Sequence, residues 1–318
     1  LSVISAAAIL AGTVLTGCSR ADDLVQEQTE TENYALTVFT AQERKEWEPV
    51  IKEVEERTGW NVRVETGSAK EMLSQLEKEE ADWDVAFGVS ADALEEGKEY
   101  WQTGKDAWTG YSAVSFVILY NTNVVTYREL PTGWDSLLEP RWKGRVAVPD
   151  PLKSDMAASV LTEAAKNSEK EEFLDLLAEN MQYQMPETFK EVEQGISDGR
   201  YSIGVTSEEA AKAMLAAGQD VDYIDPEEGE CFFEDGTAIR KRTPNLDASE
   251  AFVTYTTCDD TKWLLRTQLL RQPAEDVSAE NDRSDEELKQ RYSRQQEILN
   301  IWKLIMEEKT GPAHEQEQ

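Results

Sequence analysis

Histidine is almost missing from this sequence: His314, in the polar terminal stretch, is the single one among 318 residues. With none inside the folded part, nucleophilic catalysis by a Ser–His or Cys–His arrangement and a histidine-rich zinc site are excluded as readings. Cysteine is nearly as scarce, and the positions Cys18, Cys231 and Cys258 fit no metal-ligand spacing, so neither a bound metal nor any other cofactor is expected. Basic residues are the third shortage. Only 32 Lys and Arg face 64 Asp and Glu, a formal net charge of -32 that repels nucleic-acid phosphates and anionic lipid headgroups. A nucleic-acid partner and polybasic docking to a membrane are therefore excluded. Part of the acid excess lies in runs such as 77–80, which read as a solvated helix face. Surface charge leaves the polarity of a buried cleft open, because a few nearby groups decide the field at short range.

What is present is enough apolar residue for a core, 40% of the chain, over a length that suggests two compact lobes. Residues 1–17 are an apolar stretch rich in Ala, Ile, Val and Leu, ending in Leu15-Thr16-Gly17-Cys18 and followed by acidic sequence. This resembles a bacterial lipobox, with a small residue before a cysteine whose thiol takes a diacylglycerol. No Lys or Arg precedes the run. The expectation is a signal peptide over 1–17, lipidation at Cys18 and a polar tether over 18–33; an uncleaved membrane anchor is the alternative.

From Tyr34 onward short apolar runs alternate with longer helical patterns, the signature of an α/β fold with mostly parallel strands. Strands are expected over 35–39, 61–65, 83–87, 111–120, 145–148, 201–205 and 221–224. Helices are expected around Trp47 to Val54, where Thr58-Gly59 supplies the terminator, and over 69–78, 156–165, 170–180 and 208–217. No internal repeat is visible.

Three stretches together resemble the bacterial extracellular solute-binding proteins of the group that contains ferric-iron and sugar-phosphate binding proteins. They are Ile118-Leu119-Tyr120-Asn121-Thr122; then Pro131 to Leu138 followed by Trp142-Lys143-Gly144-Arg145; and Tyr223, Pro226, Glu228 and Gly229 leading to Ala238-Ile239, with Pro244-Asn245 and Ala248 to Tyr255 behind. The resemblance implies a type II periplasmic-binding-protein fold, with two α/β lobes joined by crossovers near 111–117 and 232–239 and a ligand cleft between them. Read without the resemblance, each crossover is an ordinary core strand. The expected division is 34–111 with 236–270 for lobe 1, and 112–235 with 284–310 for lobe 2.

The same resemblance implies a non-catalytic receptor: an extracytoplasmic, lipid-anchored monomer that captures a small solute and hands it to an ABC permease and its ATPase. Loops at the carboxyl ends of strands line the crevice of such sheets, and helix N-termini there offer unpaired backbone N–H groups. That rule selects Thr40, Ala41, Gly88, Ser90, Ser154 with Asp155, and Thr206 with Ser207. Each hydroxyl at a helix start serves equally well as a plain cap. Iron-binding members carry adjacent tyrosines after the strand corresponding to 201–205, whereas this chain reads Thr206-Ser207-Glu208-Glu209 there and has no tandem tyrosine. The family's frequent Ser-Gly pair is here Ser154-Asp155, and the carboxylate competes with an anionic ligand for the same donors.

Lys153, Arg200 and Arg240 are candidate countercharges, and Tyr223, Trp108, Trp134 and Trp142 are candidate stacking partners; surface and core roles are the alternatives. The ligand class that follows is a sugar phosphate, a phosphonate or another oxyanion-bearing or polyhydroxyl solute. Ferric iron or an iron chelate, a surface-tethered carboxylate-dependent hydrolase and an adhesin remain alternatives. Cys231 and Cys258, 27 residues apart, are a candidate disulfide in an oxidising compartment; two buried thiols are the alternative.

Overall fold

The computed structural model describes residues 34–102, 107–229, 231–277 and 284–310. The expected signal peptide, Cys18 and the tether lie outside them. Among the described residues no helix is long and apolar enough to cross a membrane.

The first part of the chain runs β1 (Leu36–Thr40), α1 (Arg44–Thr58), β2 (Val62–Thr66), α2 (Ala69–Glu77), β3 (Val85–Ser90), α3 (Ala91–Glu96) and the long β4 (Thr109–Asn121). It continues through β5 (Val146–Ala147), α4 (Asp155–Asn167), α5 (Phe173–Asn180), α6 (Phe189–Ser197), β6 (Ile203–Ser207), α7 (Glu208–Ala216), β7 (Val221–Ile224) and β8 (Cys231–Ile239). The last elements are α8 (Leu246–Thr256), α9 (Asp259–Leu264), a π-helical turn at Leu265–Leu269, β9 (Gln272–Pro273), α10 (Ala274–Val277) and α11 (Asp285–Thr310).

The strands form one sheet in the order β2-β1-β3-β8-β4-β6-β5, with β7 and β9 also paired to β4. β1 is parallel to β2 and β3, and all five of its residues are buried, as expected of a parallel strand covered on both faces. The expectation of mostly parallel strands is corrected: β8 and β4 run antiparallel between the two parallel groups. Among the described residues five of the eight strand pairings are antiparallel, because the long crossover strand β4 pairs every neighbour that way and β8 meets β3 so too. β8 pairs β3 from Asp235 to Ile239, and it pairs β4 from Cys231 to Thr237. At Phe116 β4 is paired to β8 on one edge and to β6 on the other, and beyond it β4 leaves β8 and continues with β6 and β7. The two crossover strands are therefore one continuous ladder that joins the two halves of the molecule.

Each half has its own apolar packing. Leu36, Val38, Val50, Phe87, Phe252 and Leu265 cluster on one face of the β1–β3 group, and Met72, Trp83, Trp101 and Leu94 on the other. Beyond β4 the largest cluster gathers Trp134, Trp142, Leu161, Leu177, Phe173 and Trp302. Local chemistry starts the helices. Ser68 and Glu71 form a reciprocal capping box on α2, and the hydroxyls of Ser154, Thr188 and Ser207 cap α4, α6 and α7. Gly59, at φ 71°, ends α1 in the left-handed conformation.

Helix α11 had no counterpart among the expected elements. Its buried residues Leu288, Arg291, Tyr292, Gln295, Trp302 and Ile305 face α3, α4 and α5, so it lies across both halves. Arg291 sits between Asp92 of α3, at 3.6 Å, and Glu163 of α4, at 3.1 Å, and donates to the carbonyl of Phe232. The disulfide expectation is corrected. Cys231 lies in the core around Trp134, whereas Cys258 stands before α9 within reach of the Thr261 hydroxyl, and no disulfide joins them. Cys231 is at the start of β8, buried in the cluster beyond β4, while Cys258 is at the start of α9, so 27 residues of sequence separation do not become a disulfide.

Candidate functional site

The carboxyl ends of β1 and β3 face the start of α4, and a small cavity of about 40 Å³ lies between them. Ala41, Gly88, Ser90, Ser154 and Asp155 all line it. A second cavity of about 370 Å³ adjoins it, sharing Glu43, Glu46, Met156 and Arg271 and adding Ser207 from the end of β6. The smaller space holds little more than one water molecule, whose share of liquid volume is about 30 Å³. The larger one has the dimensions of a small-molecule site.

The remaining residues selected from sequence lie elsewhere. Thr40 is fully buried and its hydroxyl accepts from the Gln42 backbone N–H, shaping the turn after β1 without reaching either cavity. Thr206 is also fully buried and donates to Glu193 at 2.7 Å. Tyr223 pairs with Leu119 from β7 and packs with Tyr201 against the cluster around Val192 and Met214, away from both cavities. Trp134 and Trp142 are core, and the indole N–H of Trp108 is spent on Glu95. Among the candidate cations, Arg200 pairs with Asp198 and Arg240 donates to the Trp83 carbonyl. Lys153 does line the small cavity, but its ammonium is paired with Glu187.

The charge at the centre of the site comes from a residue that sequence reasoning missed. Arg271 follows Leu270, whose φ of 51° turns the chain back into the cleft, and only 4% of its side chain is exposed. Its guanidinium donates to Asp235 of β8 at 2.6 Å, to the Ser112 hydroxyl of β4 at 2.7 Å and to Glu46 of α1 at 3.2 Å. The Ser112 hydroxyl in turn donates to Asp235 at 2.7 Å, and Gln42 Nε2 donates to the same carboxylate at 2.9 Å. The network thus knots together both crossover strands, α1 and the turn after β1.

Burial pushes the Asp235 carboxyl pKa upward against the opposing pull of Arg271, Ser112 and Gln42. For Arg271 burial acts downward, but the facing carboxylates of Asp235 and Glu46 outweigh it and the guanidinium stays charged. Gln42 could have been found, since it is one residue beyond the strand end already selected. Arg271 carried no signal: it sits among Leu269, Leu270 and Pro273 far along the chain from its partners.

The site as a whole is rich in acceptors. Glu43, Glu46, Asp155, Glu193 and Asp235 line the two cavities, against Lys45, Lys153, Lys190 and Arg271. In the small cavity both cations already have carboxylate partners. Gln42 Oε1 is buried and has no hydrogen-bond partner. Asp155 is only partly exposed, and enclosure of its carboxyl raises the pKa, with Glu71 adding to the effect and the Ala69 N–H opposing it. Burial likewise raises the pKa of Glu193, against the Thr206 hydroxyl. Among the described residues no three His, Cys, Asp or Glu side chains are grouped to hold a metal ion.

Comparison with known proteins gives a consistent picture. Iron uptake protein A1 of Synechocystis sp. is 22% identical over 289 residues, covering 80% of each chain. The solved structure of a ferric binding protein from Campylobacter jejuni superposes with a TM-score of 0.65 at 17% identity, covering 86% of this chain and 99% of the other. AfuA of Actinobacillus pleuropneumoniae, solved with exogenous fructose-6-phosphate bound, gives a TM-score of 0.62 at 15% identity over 75% of this chain and 83% of its own. The fold is that of the type II periplasmic-binding proteins, two α/β lobes with a cleft between them. The model of the family described as bacterial extracellular solute-binding protein matches residues 84–296, more than half of the sequence, and the chain belongs to that family.

Proposed function

We propose that this protein is the extracytoplasmic receptor of an ABC importer, which captures a small polar solute between its two lobes as a monomer and delivers it to the permease. The observation that carries this reading is convergence. Residues from three separate strand ends and helix starts, Ala41, Ser90 and Ser154, meet at one cavity beside the Arg271–Asp235 network that ties the crossover strands together. The proposed lobes are 34–111 with 236–270, and 112–235 with 284–310; α11, which touches both, would move with the second.

The lining favours a polyhydroxyl solute over an oxyanion. Ser90, Ser154 and Ser207 each accept a backbone N–H through the hydroxyl oxygen, which leaves the hydroxyl proton for a ligand, and the surrounding carboxylates and Gln42 Oε1 accept from one. A ferric ligand is the second reading, supported by the names of the relatives; the missing tandem tyrosine and the scattered carboxylates weigh against it.

A thermal-shift screen of sugars, sugar phosphates, phosphonates, carboxylates and ferric salts, followed by calorimetry, tests both. A stoichiometric solute whose affinity falls about tenfold in Ser154→Ala, the equivalent of about 1.4 kcal/mol, would support the placement. Turnover of any solute by the purified protein would overturn the receptor reading. Attachment to the membrane through lipidated Cys18 is part of the same proposal, and Cys18→Ala should move the protein to the soluble fraction or stall its processing. Unchanged attachment would point to an uncleaved anchor.

A further inference from the structure

Asp155 is the first residue of α4, yet its side chain hydrogen-bonds to a different helix. Its Oδ2 crosses the cleft and accepts the backbone N–H of Ala69, the first residue of α2, at 3.1 Å. The two helices belong to different halves, α2 packing with Trp83 and Met72, α4 with Leu161 and Trp134. Two further donors at the start of α2 are occupied as well, the Glu71 N–H by the Ser68 hydroxyl and the Met72 N–H by the Ser68 carbonyl. A carboxylate of the chain itself thus stands at the open end of α2, where the positive end of a helix would otherwise attract an anion. Asp155 is held there from behind: Gln295 of α11 donates to its carbonyl at 3.1 Å.

A second observation points to what the cleft lacks. Gln42, 8% exposed, turns its Nε2 toward Asp235 and leaves Oε1 without a partner on the wall of the same cavity. A buried acceptor of this kind calls for a donor, which a solute entering the cavity can supply.

We infer that Asp155 determines the specificity of the cleft: its carboxylate latches the two halves through the start of α2 and excludes anionic solutes. The solute class that remains presents O–H or N–H donors and no phosphate or carboxylate. This rests on the solute-receptor reading above and narrows it.

The test uses the protein with residue 155 as Asp, Ala and Asn, probed with inorganic phosphate, fructose 6-phosphate, fructose and a simple diamine. Calorimetry reads affinity, small-angle scattering reads the dimensions without ligand, and circular dichroism confirms folding. The unsubstituted protein should bind fructose 6-phosphate no more tightly than fructose. Asp155→Ala should bind phosphate-bearing probes at least about tenfold more tightly than the unsubstituted protein and should be more extended without ligand. Asp155→Asn keeps an oxygen for Ala69 and so should stay compact while losing the exclusion. Preference for fructose over the diamine, or the reverse, tells a polyol from an amine.

The inference is overturned if the unsubstituted protein prefers the phosphate ester, or if the folded Ala and Asn variants gain no phosphate affinity. Should the variants gain it while no solute of any class binds the unsubstituted protein, the latch stands and the receptor reading falls. Should a neutral solute bind with the variants unchanged, the receptor stands and the latch falls.

Discussion

Replacing Arg271 with Met removes the one cation from a buried cluster that holds two carboxylates, and the loss follows from its surroundings. The Asp235 side chain is fully buried and that of Glu46 is 14% exposed, so neither regains full hydration when the guanidinium goes. Ser112 and Gln42 still donate to Asp235, but its charge is no longer compensated. Breaking a buried ion pair from one side costs about 3–5 kcal/mol. For a domain of this size, about 2 °C per kcal/mol translates this into a melting-point drop of roughly 6–10 °C.

The loss should shrink on acidification, because protonating Asp235 removes the stranded charge, and burial already raises its pKa. Thermal unfolding at about pH 8 and about pH 5 would read the difference. The double variant Arg271→Met with Asp235→Asn should recover part of the stability, since the fully buried Asp235 is then not left charged and alone and only the partly exposed Glu46 still lacks its partner. A drop of less than about 2 °C at both pH values, or a double variant as unstable as the single, would refute the assignment of Arg271 as the electrostatic centre of the network between the crossover strands.

Three further outcomes are expected. Gly88 has φ 62°, and a Cβ there would stand 2.3 Å from Gln42 Cδ, so Gly88→Ala should lose about 1–3 kcal/mol and weaken solute binding by displacing Gln42; an unchanged melting point and affinity would contradict this. Asp155, Asp235 and Glu193 all have raised pKa values, so the folded state binds their protons more tightly than the unfolded chain does. Their contribution to stability therefore falls as pH rises from the ordinary carboxylate range through the raised values, and melting curves against pH should flatten in Asp155→Asn and Asp235→Asn. Iodoacetamide in denaturant without reductant should alkylate both Cys231 and Cys258, and a mass showing the pair protected would revive the disulfide.

The α/β alternation, the strand order along the chain and the helix starts at Ser154 and Ser207 were legible in the sequence, because apolar periodicity and capping act within a few residues. So was the list of strand-end residues, which the fold brings partly together: Ala41, Gly88, Ser90, Ser154 and Asp155 share one cavity, and Ser207 lies in the next. Residues 284–310 read as part of lobe 2, but their helix α11 escaped, because its buried positions are diluted by charge and include Arg291 and Gln295, whose role shows only once Asp92, Glu163 and the Asp155 carbonyl are there to receive them. The centre of the site was decided by tertiary structure alone. Gln42 and Asp235 are 193 residues apart, Ser112 and Arg271 are 159 apart, and Asp155 reaches Ala69 across 86. Each of those side chains has an unremarkable setting in its own segment; only when the crossover strands bring them into one dry space does each charge have to find a partner.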